Sequence, residues 1–196
     1  METAGAFMTN PFTLSPQLLV SPGYQAQWHL HGRTSDGNTC CSVKAEQAWA
    51  SLRGFGNEEI VIAFSDDGCH TDAVAASSSC KFAAAAYLEQ GELIYGNPQE
   101  VKEKMVIAGH RHGTALAGLI AGPLDVVLPI GVAPGCRLLP VRWEYKDRFR
   151  ITQKGFKTIL TSLADKVDIF INTWASLPNM IFSEDNVRLM STAVEV

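Results

Sequence analysis

Ile60-Val-Ile-Ala-Phe-Ser-Asp66-Asp67-Gly68 and His110-Arg-His112-Gly113-Thr114-Ala-Leu-Ala-Gly118 decide how this chain folds. The first is an apolar run rich in β-branched residues that stops on acids and a glycine. It reads as a buried strand, Ile60 to Ser65, that delivers a carboxylate to the end of a sheet. The second opens a helix, His112 to Ala121, whose Ala115, Ala117 and Gly118 are small where the helix would press on that sheet. Further on, Arg137 to Trp143 reads as a strand, Ile151 to Asp165 as a helix and Val167 to Thr173 as a strand. Apolar strands alternating with helices predict an α/β domain with a mostly parallel sheet. In such sheets ligands bind beyond the carboxyl ends of the strands, where Asp66 leaves its strand and His112 begins its helix.

Upstream of this frame, Lys44 to Arg53 reads as a short helix closed by Gly54. Residues 1–24, punctuated by Pro11, Pro16 and Pro22, read as an extended N-terminal arm, and 25–196 as the N-terminal part of a domain. The stretch between Gly68 and Gly109 reads as a loop-rich excursion and takes no assignment.

Composition excludes several function classes. Lys plus Arg number 16 against 20 Asp plus Glu, a net charge of −4, so neither a nucleic-acid surface nor a polybasic membrane patch is expected. No apolar run approaches the roughly 20 residues that a bilayer requires. The first twenty residues carry neither a basic segment nor a continuous apolar core, which points to the cytoplasm. Cys40, Cys41, Cys69, Cys80 and Cys136 are odd in number and irregular in spacing. They suggest mostly buried thiols in a reducing compartment rather than a disulfide framework or a Cys-x-x-Cys metal pair.

Taken singly, the chemical residues have plain readings. Two acids after a strand are usually turn or cap residues, and a histidine at a helix start is usually a cap or a satisfied core residue. The order of the segments changes that. Asp66-Asp-Gly68, His112-Gly-Thr-Ala-Leu-Ala-Gly118, Gly131-Val-Ala-Pro134 and Asn172-Thr-Trp-Ala175 resemble, in sequence and in order, segments of the subtilisin-like serine proteases (subtilases). Gln27-Trp-His-Leu30 and Val43-Lys-Ala-Glu-Gln-Ala-Trp49 resemble segments near the start of the same domain. The resemblance runs from about Gln27 to Trp174.

The resemblance implies a subtilisin-like sheet with helices on both faces, Asp66 as the acid that orients a histidine, and His112 as the general base. Asp67 takes the variable middle position, facing solvent or capping the turn, and His110 is a loop residue. Asn172, Thr173, Trp174 and Ala175 would line the substrate, with backbone pairing to an extended peptide. Ala175 stands where the family usually has glycine, and Trp174 fits a core position equally well. Substrates would be peptides or proteins. Many subtilases bind calcium, but no residues here are assigned to it, and no other cofactor is implied.

One family element is missing from the 196 residues: no Gly-Thr-Ser follows His112, where the serines are Ser162, Ser176, Ser183 and Ser191. The fold is therefore expected to be incomplete in this chain, with the serine half on a second polypeptide. A catalytically dead module that binds peptides or a partner is the alternative. A metal-dependent hydrolase built on His29-x-His31 or His110-x-His112 is a third, without a third ligand at diagnostic spacing; His70, close behind Asp66, adds no such site.

Overall fold

The computed structural model describes residues 13–34, 36–39, 41–74, 80–125 and 129–173. Among these, β1 (Val61–Asp66), β2 (Ala85–Glu89), β3 (Glu92–Gly96), β4 (Arg137–Arg142) and β7 (Ile169–Asn172) form one sheet in the order β3-β2-β4-β1-β7. β1 runs parallel to both β4 and β7, and β2 parallel to β4; only β3 is antiparallel, to β2. β5 (Glu144–Tyr145) and β6 (Phe149–Arg150) form a separate hairpin just past the carboxyl end of β4.

All six residues of β1 are buried because both faces of the sheet are covered. Ile62 and Phe64 point to one face, where they meet Ala117 and Ala121 of α7 (His112–Ala121), Val74 of α5 (Thr71–Val74) and Met105 of α6 (Lys102–Met105). Val61 and Ala63 point to the other, against Phe156, Ile159 and Leu163 of α8 (Gln153–Leu163). Side chains alternate along a strand, so Asp66 lies on the α7 face with Ile62 and Phe64, and Ser65 on the α8 face.

The excursion after Gly68 is ordered structure: α5, the β2–β3 hairpin and α6. Ala85, Ala86, Tyr87 and Leu88 are all buried, so β2 has no polar alternation to mark it as a strand. Its stretch Ser77-Ser78-Ser79 lies outside the described residues.

The expected extended arm is corrected from Thr13 onward. Ser15-Pro16 and Ser21-Pro22 each place a hydroxyl at the N-cap and a proline at the first helical position, giving α1 (Pro16–Leu19) and α2 (Pro22–Gln25). With α3 (Trp28–His31) and α4 (Ala45–Leu52) they bury Leu18, Tyr24, Leu30 and Trp49 around Ile130. Gln27 clamps this unit to the domain. Its amide donates to the Ile130 carbonyl at 2.8 Å, and its oxygen accepts from the Ile130 N–H at 2.9 Å.

Cys69 and Cys136 are buried thiols, whereas Cys41 and Cys80 are exposed, so burial is not the rule for the cysteines as expected; Cys40 lies outside the described residues. No helix among the described residues is long and apolar enough to cross a membrane.

Candidate functional site

The carboxyl ends of β1 and β7 and the N-terminus of α7 converge on Asp66. Its side chain is only 5% exposed, while the His112 ring is 64% exposed. The carboxylate straddles His112 Nδ1, at 2.9 Å from Oδ1 and 3.0 Å from Oδ2. A carboxylate only accepts, so Nδ1 carries the proton and the lone pair of the neutral ring sits on Nε2, at the far side of the imidazole.

Asp66 has two further donors. The Asp67 N–H reaches Oδ1 at 2.7 Å, and the Thr173 hydroxyl faces both Oδ2 and the Ser65 carbonyl, the latter at 2.6 Å. The buried charge is thus surrounded by donors, as burial demands. Thr173 is brought there by register. β7 pairs Asn172 with Ser65, which puts the next residue, Thr173, opposite Asp66. On the other face the Ser65 hydroxyl donates to Asn172 Oδ1 at 2.7 Å.

The helix that presents His112 is held at both ends by chain outside it. At its start Asp67 accepts from the His112 N–H at 3.0 Å and from the Gly113 N–H at 2.7 Å. Asp67 does not face solvent: it caps the helix, where a negative charge is favourable. At the other end, Val132 and Ala133 donate to the carbonyls of Leu119 and Ile120 at 2.9 Å, and Gly131 donates to Gly122 at 3.0 Å. Gly131 has no room for a side chain, since a Cβ would lie 2.4 Å from Ala121 backbone atoms. The Gly131-Val-Ala-Pro134 segment therefore closes the helix that carries the histidine.

Two more glycines make the convergence possible. Gly68 sits at φ 116°, and a Cβ on it would lie 2.1 Å from the Met105 carbonyl oxygen. Gly113 lets the helix start approach the end of β1. Behind the turn, Cys69 is 1% exposed; burial, with the nearby charges of Asp67 and Asp66, pushes its thiol up to about 12, so it stays protonated and inert.

His110 is more than a loop residue. Its ring stands edge-on to Phe149 at 4.9 Å and to Tyr145 at 5.7 Å, and its Nδ1 lies 3.8 Å from Asp67 Oδ2. The β5–β6 hairpin is thereby set beside the start of α7.

Of the residues expected to form the site, Asp66 and His112 are in direct contact, and Asn172 and Thr173 border them through Ser65 and Asp66. Trp174 and Ala175 lie outside the described residues. Sequence reasoning left Asp67 between solvent and a turn cap, and missed its bonds to the first amides of α7 and the approach of the Thr173 hydroxyl to Asp66. The parallel pairing of β1 with β7, counted residue by residue, is the signal that locates Thr173. Among the described residues no group of three or more His, Cys, Asp and Glu side chains is gathered to hold a metal ion.

A model of the subtilase family matches residues 57–195. Two curated relatives, both named calcium-dependent protease and found in Nostoc sp. and Trichormus variabilis, are each 34% identical over 125 residues. The aligned stretch takes in 61% of this chain and 16% of each relative, so the match covers a small part of their length. The solved structure of the prenylagaramide maturation protease PagA matches 76% of this chain and 46% of its own at 17% identity, with a TM-score of 0.47. The family match extends over well more than half of the chain and takes in all the strands of the sheet and the helix that presents His112: the chain belongs to the subtilase family.

Proposed function

We propose that this chain supplies the orienting acid and the general base of a serine endopeptidase centre of the subtilisin type. Asp66 holds His112 in the tautomer with Nδ1 protonated, and Nε2 accepts the proton of a serine hydroxyl as it attacks the scissile carbonyl. The same nitrogen then returns the proton to the leaving amine, and Asp66 stabilises the imidazolium formed between the two steps. The observation that carries this reading is the two-oxygen contact of a buried carboxylate with one nitrogen of a ring that is otherwise 64% exposed.

The nucleophile belongs to a part of the assembly outside the described residues. The 196 residues contain no Gly-Thr-Ser, so the hydroxyl is brought by further polypeptide, in the same chain or in a second one. Loss of the serine costs about 10⁶ in turnover, a magnitude measured on subtilisin itself, so material without it is proteolytically silent. Substrates are peptides or proteins held in extended form. The Asn172 and Thr173 side chains are engaged by Ser65 and Asp66, so an extended peptide would pair there with main chain; Trp174 and Ala175, assigned with them to the substrate, lie outside the described residues.

Native mass spectrometry of the purified material, followed by a serine-directed fluorophosphonate, tests this. A label on a serine in an assembly containing this chain, lost on His112→Ala while the assembly persists, is the expected result. A single stable 21.3 kDa species with no label sinks the reading and leaves a module that binds peptides or a partner without cutting.

A further inference from the structure

We infer that Asp67 is a positioning residue for His112, acting on its main chain as Asp66 acts on its ring. The inference rests on the reading of His112 as the general base. The turn at Gly68 bends the chain so that two consecutive acids reach the same helix start. Asp66 meets the imidazole at 2.9 Å and 3.0 Å, and Asp67 meets the His112 and Gly113 amides at 3.0 Å and 2.7 Å.

The helix cannot supply this cap itself. Its N-cap residue is Arg111, whose side chain has donors and no acceptor, and no side-chain bond is made from that position. The hydroxyl of Thr114, two residues into the helix from His112, accepts instead from the His70 N–H at 3.0 Å. The acceptor for the first amides therefore comes from the strand end that also carries the orienting acid. Both attachments of the histidine move together with β1, and the imidazole keeps its place relative to Asp66.

His110 adds a third connection. With Nδ1 3.8 Å from Asp67 Oδ2 and its ring edge-on to Phe149, it stands between the cap and the β5–β6 hairpin.

The test is nuclear magnetic resonance on the isotope-labelled 196-residue chain, with any co-purifying partner kept bound. The readouts are hydrogen exchange at the His112 and Gly113 amides and the line width of the His112 Nδ1 proton. Asp67→Ala is expected to speed exchange at Gly113 roughly ten-fold and to broaden the Nδ1 proton. Thr152→Ala, which removes the N-cap of α8, is the control for general loss of stability and is expected to leave both readouts unchanged.

A sharp Nδ1 proton and unaltered Gly113 exchange in Asp67→Ala overturn the inference, as does an equal response to Thr152→Ala. If Asp67→Ala does not fold, Asp67→Asn, which keeps one acceptor oxygen, carries the test: at least one of the two amides must exchange roughly three-fold faster, and no change at either overturns it. None of these readouts needs a nucleophile. A protein that never takes the fluorophosphonate yet responds to Asp67→Ala sinks the proposed function alone; one that takes it and does not respond sinks this inference alone.

Discussion

Gly113 lies against Gly68 so closely that a Cβ on Gly113 would stand 2.1 Å from the Gly68 carbonyl oxygen, and 2.9 Å from the Asp66 Cβ. The contact is between two backbones at the point where β1 ends and α7 begins. It sets the distance across which the acid and the histidine meet.

Gly113→Ala should therefore cost more than the helix gains from alanine. Propensity favours alanine by up to about 1 kcal/mol, but the clash is with backbone that cannot rotate away, and overpacking of this kind costs about 1–3 kcal/mol or more. The expected outcome in urea denaturation is a net loss of stability, accompanied by loss of the Asp66–His112 contact. An alanine variant as stable as the parent would show that the helix start slides without consequence.

Asp66→Asn should leave the fold intact and remove the chemistry. The carboxamide can present its NH₂ to the ring and stabilise the wrong tautomer, and it carries no charge to balance an imidazolium. In the serine-complete enzyme a fall of roughly 10⁴ in kcat is expected, with far-ultraviolet circular dichroism unchanged. Steady-state cleavage of a peptide substrate measures it; a loss below ten-fold would remove Asp66 from the role of orienting acid.

Thr173→Val tests the hydroxyl that faces Asp66. The substitution keeps the shape and deletes the one hydroxyl proton that the Asp66 carboxylate and the Ser65 carbonyl both face, leaving the buried carboxylate with one donor fewer. The expected cost is about 1–3 kcal/mol in stability, and Thr173→Ser, which keeps the hydroxyl, should recover most of it. Equal behaviour of the valine and serine variants in thermal unfolding would contradict a donor role.

The Arg33–Glu46–Tyr24 network predicts an acid limb to stability. Burial alone would raise the Glu46 carboxyl, but Arg33 at 2.5 Å and 3.0 Å and the Tyr24 hydroxyl at 2.6 Å outweigh it, and the group titrates below its ordinary value. For an acid lowered on folding, the stabilisation is complete above the unfolded value and is lost as pH falls through the folded one. Arg33 is 54% exposed, so solvent screening limits the ion pair to about 1 kcal/mol or less. Glu46→Gln should thus unfold below the parent temperature at pH 6 to 7, with the gap closing as the pH drops below about 4. A gap that is constant across that range would assign the network no charge-dependent role.

Much of the frame was legible along the chain. The apolar run into Asp66, the small-residue helix from His112 to Ala121 and the strand from Arg137 announce themselves locally, because burial on both faces and close helix packing each select residue types that can be counted. The β2–β3 hairpin was not legible: Ala85 to Leu88 is uniformly buried, so it shows no alternation, and four consecutive alanines precede Tyr87. The N-terminal turns at Pro16 and Pro22 were legible in their Ser-Pro pairs, but prolines read as extended chain hid them.

By itself, then, the sequence determined an α/β sheet, the family to which the chain belongs, and the pair Asp66 and His112 as residues at the carboxyl edge of that sheet. Those conclusions depend on residue types at fixed local spacings. Only the tertiary structure decided that Asp67 caps the helix of His112, that the Thr173 hydroxyl turns to Asp66, and that His110 carries the β5–β6 hairpin beside the cap. Each of these joins elements tens of residues apart, through the register of β7 on β1 and the close approach of Gly113 to Gly68. Such contacts are set by how strands pair and how near two backbones can come, and neither quantity is written in any one stretch of chain.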